Sequence, residues 1–291
     1  MKITDPVLVP DVSSWVDHIN AKQFEDGGCQ SVIVGLYPIT QGGKLVLSPF
    51  SRAQAQAVAN SSMVLQGYFW DDIILDPIAQ AQWVADTIKT EGLPVKFVWA
   101  DQEQWWGNWN LYYQWQAGKI PITSLPRPSA YNISLHNQTF MTHLNGSFPN
   151  SGVYTNRNFV ISYAPEMDAW LPKYPAWPAQ YGRQPTVRTK MTWAELSANW
   201  LPNYDIILSA GQLPKNVRGH QFTGDMCVLP GSYNQYDGKI PLYDGRLPLD
   251  VSVFLKAFID SLRTNQPIPA PPPHPSVCPT CGQAWPVNPI S

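Results

Sequence analysis

The chain has 291 residues, of which 44% are hydrophobic and 14% are charged, and its formal net charge is −2. This length and composition are typical of a globular protein with one large domain. We expect no binding to nucleic acid, because the near-neutral charge balance leaves no basic patch. We expect no membrane span either, because no stretch approaches the roughly 20 apolar residues that a span needs.

Strand-like and helix-like segments alternate along the first hundred residues. Apolar runs typical of buried strands lie at 7–15, 31–37, 63–70 and 95–101. One helical stretch is capped by Ser51, and another starts at Asp76-Pro77, where a capping acid precedes a proline, and ends at Gly92. This alternation predicts βαβ units and a parallel sheet.

Three of these strands end in acidic residues, namely Asp11, the pair Asp71 and Asp72, and Asp101 with Glu103. In a parallel barrel such strand ends converge on one face, which carries the active site. Asp101 and Glu103 point to the same side of an extended chain, whereas Gln102 points to the other side. Paired carboxylates of this kind suit glycoside hydrolysis. An ordinary strand end with solvated acids is the alternative for this strand taken alone.

An aromatic-rich segment over residues 104–130 directly follows the acidic strand. It contains Trp105, Trp106, Trp109, Tyr112, Tyr113 and Trp115. Because it follows the strand end, we expect it to lie over the barrel mouth. Two interpretations stay open, a self-packed loop that covers the barrel and an aromatic wall along a saccharide groove.

The second half of the chain continues with the same kinds of segment. Helices are predicted at 134–144, at 192–202 behind a capping box, and in a final stretch through Leu262. Strands are predicted at 152–155, 176–181, 217–223 and 247–254. The last of these brings a further acid, Asp250.

Several separated motifs together resemble the family 25 glycoside hydrolases, the Chalaropsis-type lysozymes and phage endolysin muramidases. The matching pieces, in the family's order, are Asp11–Trp15, Gly67–Trp70, Asp101–Glu103, Val153–Thr155, Trp177–Tyr181, His220–Thr223 and Leu249–Phe254. The resemblance implies an α/β fold, a modified TIM-type β/α barrel with eight strands and fewer than eight helices, whose last strands are partly antiparallel. The chain departs from the family at Gln102, where an aliphatic residue is usual.

The resemblance also implies roles for individual residues. Glu103 matches the general acid, Asp101 the acid beside it, and Asp11 and Asp250 further carboxylates of the pocket. Family members are thought to use the N-acetyl group of the substrate as nucleophile, so Asp101 is expected to orient that group. The expected substrate-binding residues are Tyr68, Trp70, Asp71, Trp105, Tyr154, Trp177, Gln180, Tyr181 and Gln221.

The C-terminal end divides the chain into a barrel at 1–265 and a Pro-rich tail at 266–291. A Cys-x-x-Cys turn, Cys278 to Cys281, lies in the tail with His274 before it. This is an incomplete set of ligands for structural zinc, since such a site needs four. Cys29, Cys227, another copy of the chain or a partner are candidate sources of the fourth ligand. A tail without metal, or a short docking peptide, is the favoured alternative, and we expect no other cofactor.

These features lead to one expected function and its alternatives. The chain is expected to hydrolyse β-1,4 bonds in the glycan strands of bacterial peptidoglycan. The N-terminal residues contain no apolar run of signal length. We therefore expect synthesis in the cytoplasm, with action at the cell wall after release or as a bacteriophage virion component. The alternatives are a glycosidase for another polysaccharide, or a non-catalytic glycan-binding or virion structural protein, assembled through its tail.

Overall fold

A computed structural model of the chain describes residues 3, 5–14, 16–181, 184–201, 204–205, 215–233 and 246–264. Its strands are β1 (Pro6–Val12), β2 (His18–Ile19), β3 (Ser31–Gly35), β4 (Pro38–Gln41), β5 (Lys44–Leu47), β6 (Val64–Trp70), β7 (Phe97–Asp101), β8 (Ser151–Asn156), β9 (Ala176–Ala179), β10 (Thr189–Lys190), β11 (Gly219–Tyr233) and β12 (Arg246–Leu255). Its α-helices are α1 (Ala21–Asp26), α2 (Pro49–Ala59), α3 (Pro77–Thr90), α4 (Trp109–Gln116), α5 (Ala130–Ser147), α6 (Arg157–Tyr163), α7 (Trp193–Trp200) and α8 (Lys256–Thr264). Short 3₁₀ helices cover Ile122–Ser124, Pro165–Ala169 and Leu171–Lys173.

Eight of the strands close into a barrel. Strands β1, β3, β6, β7, β8 and β9 pair in parallel in that order, and β9 also pairs in parallel with β11. The last strands run the other way, since β12 pairs antiparallel with both β11 and β1. The eight-stranded barrel with partly antiparallel last strands, expected from the resemblance, is confirmed.

Helices connect most of the strands but not in a regular alternation. Within the described residues, helices lie between β1 and β3, β3 and β6, β6 and β7, β7 and β8, β8 and β9, and β9 and β11. The crossover from β7 to β8 carries two helices, and α8 follows the last strand. Six crossovers therefore contain helices, fewer than in a regular eightfold barrel, although the described residues form eight α-helices in all.

The barrel interior is filled by large apolar side chains. This inner core includes Phe97 and Trp99 of β7, Trp177 of β9 and Phe254 of β12. Helix α8 packs Phe258 and its neighbours against the same core. The interior is therefore a solid aromatic floor, and any site must lie above it, at the carboxyl ends of the parallel strands.

One close packing contact explains a glycine in β8. A Cβ atom on Gly152 would lie 2.7 Å from the Trp99 ring and 2.6 Å from the Pro175 carbonyl oxygen. Only glycine leaves room for the Trp99 indole at this height of the barrel.

The structure adds elements that periodicity did not predict. Residues 38–47 form an exposed β4–β5 hairpin with a turn through Gly42 and Gly43, both at positive φ. Helix α4 lies within the aromatic-rich segment, and β11 extends to Tyr233, well past the predicted end. The predicted tail at 266–291 lies outside the described residues.

Candidate active site

Four carboxylates stand on two opposite walls of the barrel mouth. Asp11 of β1 and Asp250 of β12 are direct partners in the antiparallel ladder, so they share one wall. Asp101 ends β7, with Glu103 two residues beyond it. Two strands separate β7 from β1 on one side of the ring and three separate it from β12 on the other. The mouth therefore lies between two acidic walls.

The first wall holds carboxylates that resist ionisation. Burial raises the pKa of Asp11 well above its usual range, and the charge of Asp250 raises it further. Burial likewise raises the pKa of Asp250 to about 7, although hydrogen bonds from Asp225 and Gln221 favour its charged form. The Asp225 amide donates to Asp250 Oδ1 at 2.7 Å from a backbone with φ 55°. This wall can hold a proton near neutral pH.

The second wall pairs a deeply buried acid with a more accessible one. Burial raises the pKa of Asp101 well above its usual range, and the charges of Glu103 and Asp11 add to this effect. Burial also raises the pKa of Glu103, against a hydrogen bond that Asn156 donates to Glu103 Oε1. The two acids thus ionise in different environments, which is how a pair acquires separate acid and base roles.

Two pairs of tyrosines flank the acids. The Tyr37 and Tyr68 hydroxyls are hydrogen-bonded to each other, and Tyr154 and Tyr181 hydroxyls lie 3.2 Å apart. Burial raises the pKa of Tyr68 and Tyr154, and the charge of Asp101 contributes at both. These phenols therefore stay neutral and provide hydroxyl groups beside the carboxylates.

The chain matches the model of a known protein family. The family model described as Glycosyl hydrolases family 25 matches residues 10–228, which is more than half of the chain. The chain belongs to glycosyl hydrolase family 25.

Solved structures of low sequence identity share the fold of this family 25 chain. A lysozyme from Streptomyces coelicolor is 15% identical, with a TM-score of 0.57, and the match covers 91% of this chain and 100% of that one. A family 25 glycosyl hydrolase from Bacillus anthracis is 14% identical, with a TM-score of 0.54 and coverages of 89% and 92%. The CTP1L endolysin is 14% identical, with a TM-score of 0.52 and coverages of 89% and 70%. No curated protein sequence matches the chain.

Trp177 of the family 25 barrel lies below the mouth rather than in it. Its side chain is 2% exposed, it contacts the Trp99 ring at 5.6 Å, and its indole N–H donates to Ser252 Oγ at 2.9 Å. The prediction that Trp177 binds substrate therefore needs correction. Trp177 belongs to the aromatic floor that supports Tyr154, whose ring lies 4.4 Å away.

Asp71 lies on the outer face of the barrel wall, which corrects its predicted place in the sugar site. Its carboxylate is fully buried, accepts a hydrogen bond from Gln102 Nε2 at 3.0 Å and pairs with His136 Nε2 at 2.8 Å. Gln102 Nε2 also donates to the Asn137 carbonyl oxygen at 2.9 Å. The residue between the two catalytic candidates thus points outward, as predicted, and is held by α5.

The remaining predicted substrate-binding residues occupy varied places. Trp70 sits beside Asp101, its ladder partner, and Trp105 stacks on Tyr163 at 4.9 Å. The Gln180 side chain is exposed and Tyr181 is 43% exposed, while Gln221 is buried next to Asp250.

Three residues of the mouth were missed from the sequence. Asn156 holds Glu103 and also caps α6, with its Oδ1 accepting from the Phe159 amide at 2.8 Å. Tyr37 pairs with Tyr68, and Asp225 holds Asp250. Asn156 carried a usable signal, because it lies two residues after Tyr154 and therefore on the same strand face.

The described part of the chain offers no cluster of three or more His, Cys, Asp or Glu residues arranged to hold a metal ion. The predicted zinc ligands His274, Cys278 and Cys281 lie outside the described residues. Cys29 and Cys227 are both buried as free thiols. Among the described helices, none has the length and apolarity to cross a bilayer.

Proposed function

We propose that this family 25 chain is a lysozyme-type N-acetylmuramidase that hydrolyses the β-1,4 bond after N-acetylmuramic acid in bacterial peptidoglycan. Solved structures that share its fold are named as lysozymes and as muramidases, including a muramidase from Acremonium alcalophilum. The observation that carries the proposal is the placement of Asp101 and Glu103 opposite Asp11 and Asp250 at one barrel mouth.

Glu103 is the proposed general acid. Its raised pKa keeps it protonated at a higher pH than an ordinary glutamate, and its partial exposure lets it reach a glycosidic oxygen. Proton transfer to that oxygen lets the bond to the sugar C1 carbon break, so that the leaving sugar departs as an alcohol. The Glu103 carboxylate then takes a proton from the water that completes hydrolysis.

Asp101 is proposed to orient the N-acetyl group of the substrate. The carbonyl oxygen of that group attacks C1 as the glycosidic bond breaks, and a carboxylate beside the amide stabilises the positive charge that develops. Asp101 suits this task because its Oδ1 accepts no hydrogen bond within the described part of the protein. Burial favours its protonated form, and an N–H group of the substrate that donates to it, together with the developing positive charge, favours the carboxylate instead. Its carboxylate is therefore available to a substrate N–H group.

Turbidity clearing of purified cell walls by wild type and by Glu103→Gln tests this function. We expect clearing by wild type, loss of about 10²- to 10⁴-fold in the variant, and new reducing ends on N-acetylmuramic acid. Reducing ends on another sugar would indicate a different polysaccharide specificity. Co-sedimentation with walls and no clearing by either protein would favour the glycan-binding alternative.

We extend the proposal to a bacteriophage setting, in which the enzyme acts on the wall from inside the cell or from the virion. The fold is shared with a protein named as the CTP1L endolysin. Expression of the chain in a bacterium, with and without a co-expressed holin that opens the inner membrane, tests whether the enzyme depends on such a hole to reach the wall. Lysis that requires the hole supports the endolysin setting, and equal lysis without it argues against that setting.

A further inference from the structure

The crossover from β7 to β8 carries a connected group of aromatic rings beside Glu103. Trp106 stacks on Tyr112 with ring centroids 3.7 Å apart, and Trp109 stacks on Tyr113 at 5.7 Å. Trp70 at the end of β6 joins the group through Trp106 at 6.0 Å. The rings therefore extend from the barrel wall out along α4.

Hydrogen bonds fix this aromatic group by its polar edges. Trp70 Nε1 donates to Gln104 Oε1 at 2.9 Å, and Gln104 Nε2 donates to Asp72 Oδ1 at 3.0 Å. Trp109 Nε1 donates to the other Asp72 oxygen at 2.7 Å. Because the Trp70 and Trp109 N–H groups are bound to the protein and Trp106 Nε1 is buried, the ring faces and not the N–H edges are left for other contacts.

The group is not the closed hydrophobic cluster of a self-packed loop. No residue of α4 is buried, and Tyr113 is 62% exposed. Trp106 is the buried anchor of the group, whereas the α4 rings that pack around it stay partly or largely exposed. Rigid and solvent-facing aromatic rings are instead the kind of surface on which the apolar faces of sugar rings stack.

The group lies on one side of the barrel mouth only. It follows Glu103 in the chain and contacts Trp70, the ladder partner of Asp101, whereas Asp11 and Asp250 stand on the opposite wall. Burial raises the pKa of Tyr112, and the charges of Tyr113 and Glu103 raise it further, as expected for a ring near the proposed acid. The surface is thus continuous with the Glu103 side of the site.

We propose that the Trp109–Tyr113 face of α4 is a glycan subsite for the leaving-group side of the substrate. The sugar whose oxygen receives the proton from Glu103 departs on the Glu103 side, so the following sugars of that strand extend over α4. The ligand class is a β-1,4-linked N-acetylhexosamine chain, which presents alternating apolar ring faces. This proposal rests on the proposed function and deepens it.

Titration of soluble wall glycan into Glu103→Gln protein, with and without Tyr113→Ala, tests the subsite without turnover. One aromatic contact corresponds to about a 3- to 10-fold change in Kd. We expect that loss for long glycan strands and a smaller loss for disaccharides. Tyr113→Phe should keep the affinity, because it keeps the ring face.

Tyr131→Ala is the matched control, since Tyr131 is also 62% exposed on a helix but lies on α5, outside the aromatic group. It should bind long glycans like the parent protein. Equal affinity of the Tyr113→Ala and Tyr131→Ala proteins would overturn the subsite. A change of oligomeric state in Tyr113→Ala, measured by sedimentation, with unchanged glycan affinity would also overturn it, in favour of self-association.

Cleavage of reducing-end-labelled oligosaccharides by active enzyme tests whether the subsite lies on the leaving-group side of the cleaved bond. Wild type should prefer cuts that leave several sugars on the labelled fragment. Tyr113→Ala should lose that preference, and its KM for long oligosaccharides should rise while kcat stays unchanged. If wild type cuts glycans and the preference is unchanged, only the subsite fails. If wild type cuts none, the proposed function fails, and the titration still decides the subsite.

Discussion

Asp101 and Asp71 are both buried carboxylates at neighbouring strand ends, but they face opposite sides of the barrel wall. Asp71 faces outward, where Gln102 and His136 bind it. Asp101 faces the mouth, and its Oδ1 has no partner among the described residues, as is also true of Asp11 Oδ2. A buried acceptor without a partner costs roughly 1–3 kcal/mol. The outer acid is built for stability, and the inner acids keep hydrogen-bonding capacity that a substrate can use.

Among variants that separate the inner acid from the outer acid, Asp101→Asn is expected to have the largest effect on activity. Removing the carboxylate should lower kcat/KM by about 10²- to 10³-fold, because the developing charge loses its partner. Unfolding in urea should show equal or higher stability, since a desolvated acid is removed. Loss of both activity and stability would make Asp101 a structural residue like Asp71.

The opposite pattern is expected for Asp71→Asn. The free energy of unfolding should fall by about 1–3 kcal/mol, because the buried His136 and Gln102 contacts are disturbed. The loss in kcat should be far smaller than for Asp101→Asn. Asp86→Asn, on the exposed face of α3, is the control and should change neither quantity. An undiminished stability in Asp71→Asn would contradict its assigned role.

Stability should fall as the pH rises through the range in which the inner acids hold their protons. The pKa of Asp250 is raised from 3.8 to about 7, so the unfolded chain releases this proton before the folded protein does. The stabilisation is complete below about pH 4 and is lost towards pH 7. Asp250→Asn should flatten the decline in Tm over this window. An unchanged decline would mean that other groups control it.

The smallest effect is expected for Asn156→Ser. Serine can still cap α6 but is too short to hold Glu103. Without that hydrogen bond the pKa of Glu103 should rise further, because the bond favours the charged form. The alkaline limb of kcat/KM should move to higher pH with little change in Tm. A shift to lower pH would contradict the role given to Asn156.

The acids could be predicted from the sequence because each marks the end of an apolar strand. Strand alternation also placed Gln102 on the face opposite Asp101 and Glu103, as the structure has it. The prediction that Asp71 lies in the sugar site was wrong because strand alternation was not applied to it. Asp71 follows Trp70 by one residue, so alternation alone puts it on the outer face, and its acidic character was given more weight than its position.

Other parts of the site depend on contacts between distant segments that no local pattern contains. Trp177 and Trp105 are both tryptophans near strand ends, yet one fills the barrel floor and the other stacks on Tyr163. Helix α4 was predicted only as an aromatic segment, although Trp109, Tyr112 and Tyr113 stand at i, i+3 and i+4, the spacing of one helical face. Its side chains contact one another, Trp70 and the buried Trp106, and none of them is itself buried.

In the proposed enzyme, the inward-facing acids meet at a sugar. A crystal structure of Glu103→Gln protein with a soluble peptidoglycan oligosaccharide tests it most directly. We predict an N-acetylmuramic acid ring between the two acidic walls, with its acetamido N–H on Asp101 and its glycosidic oxygen next to residue 103. An oligosaccharide bound elsewhere, with no sugar within hydrogen-bonding reach of Asp101, would contradict the claim.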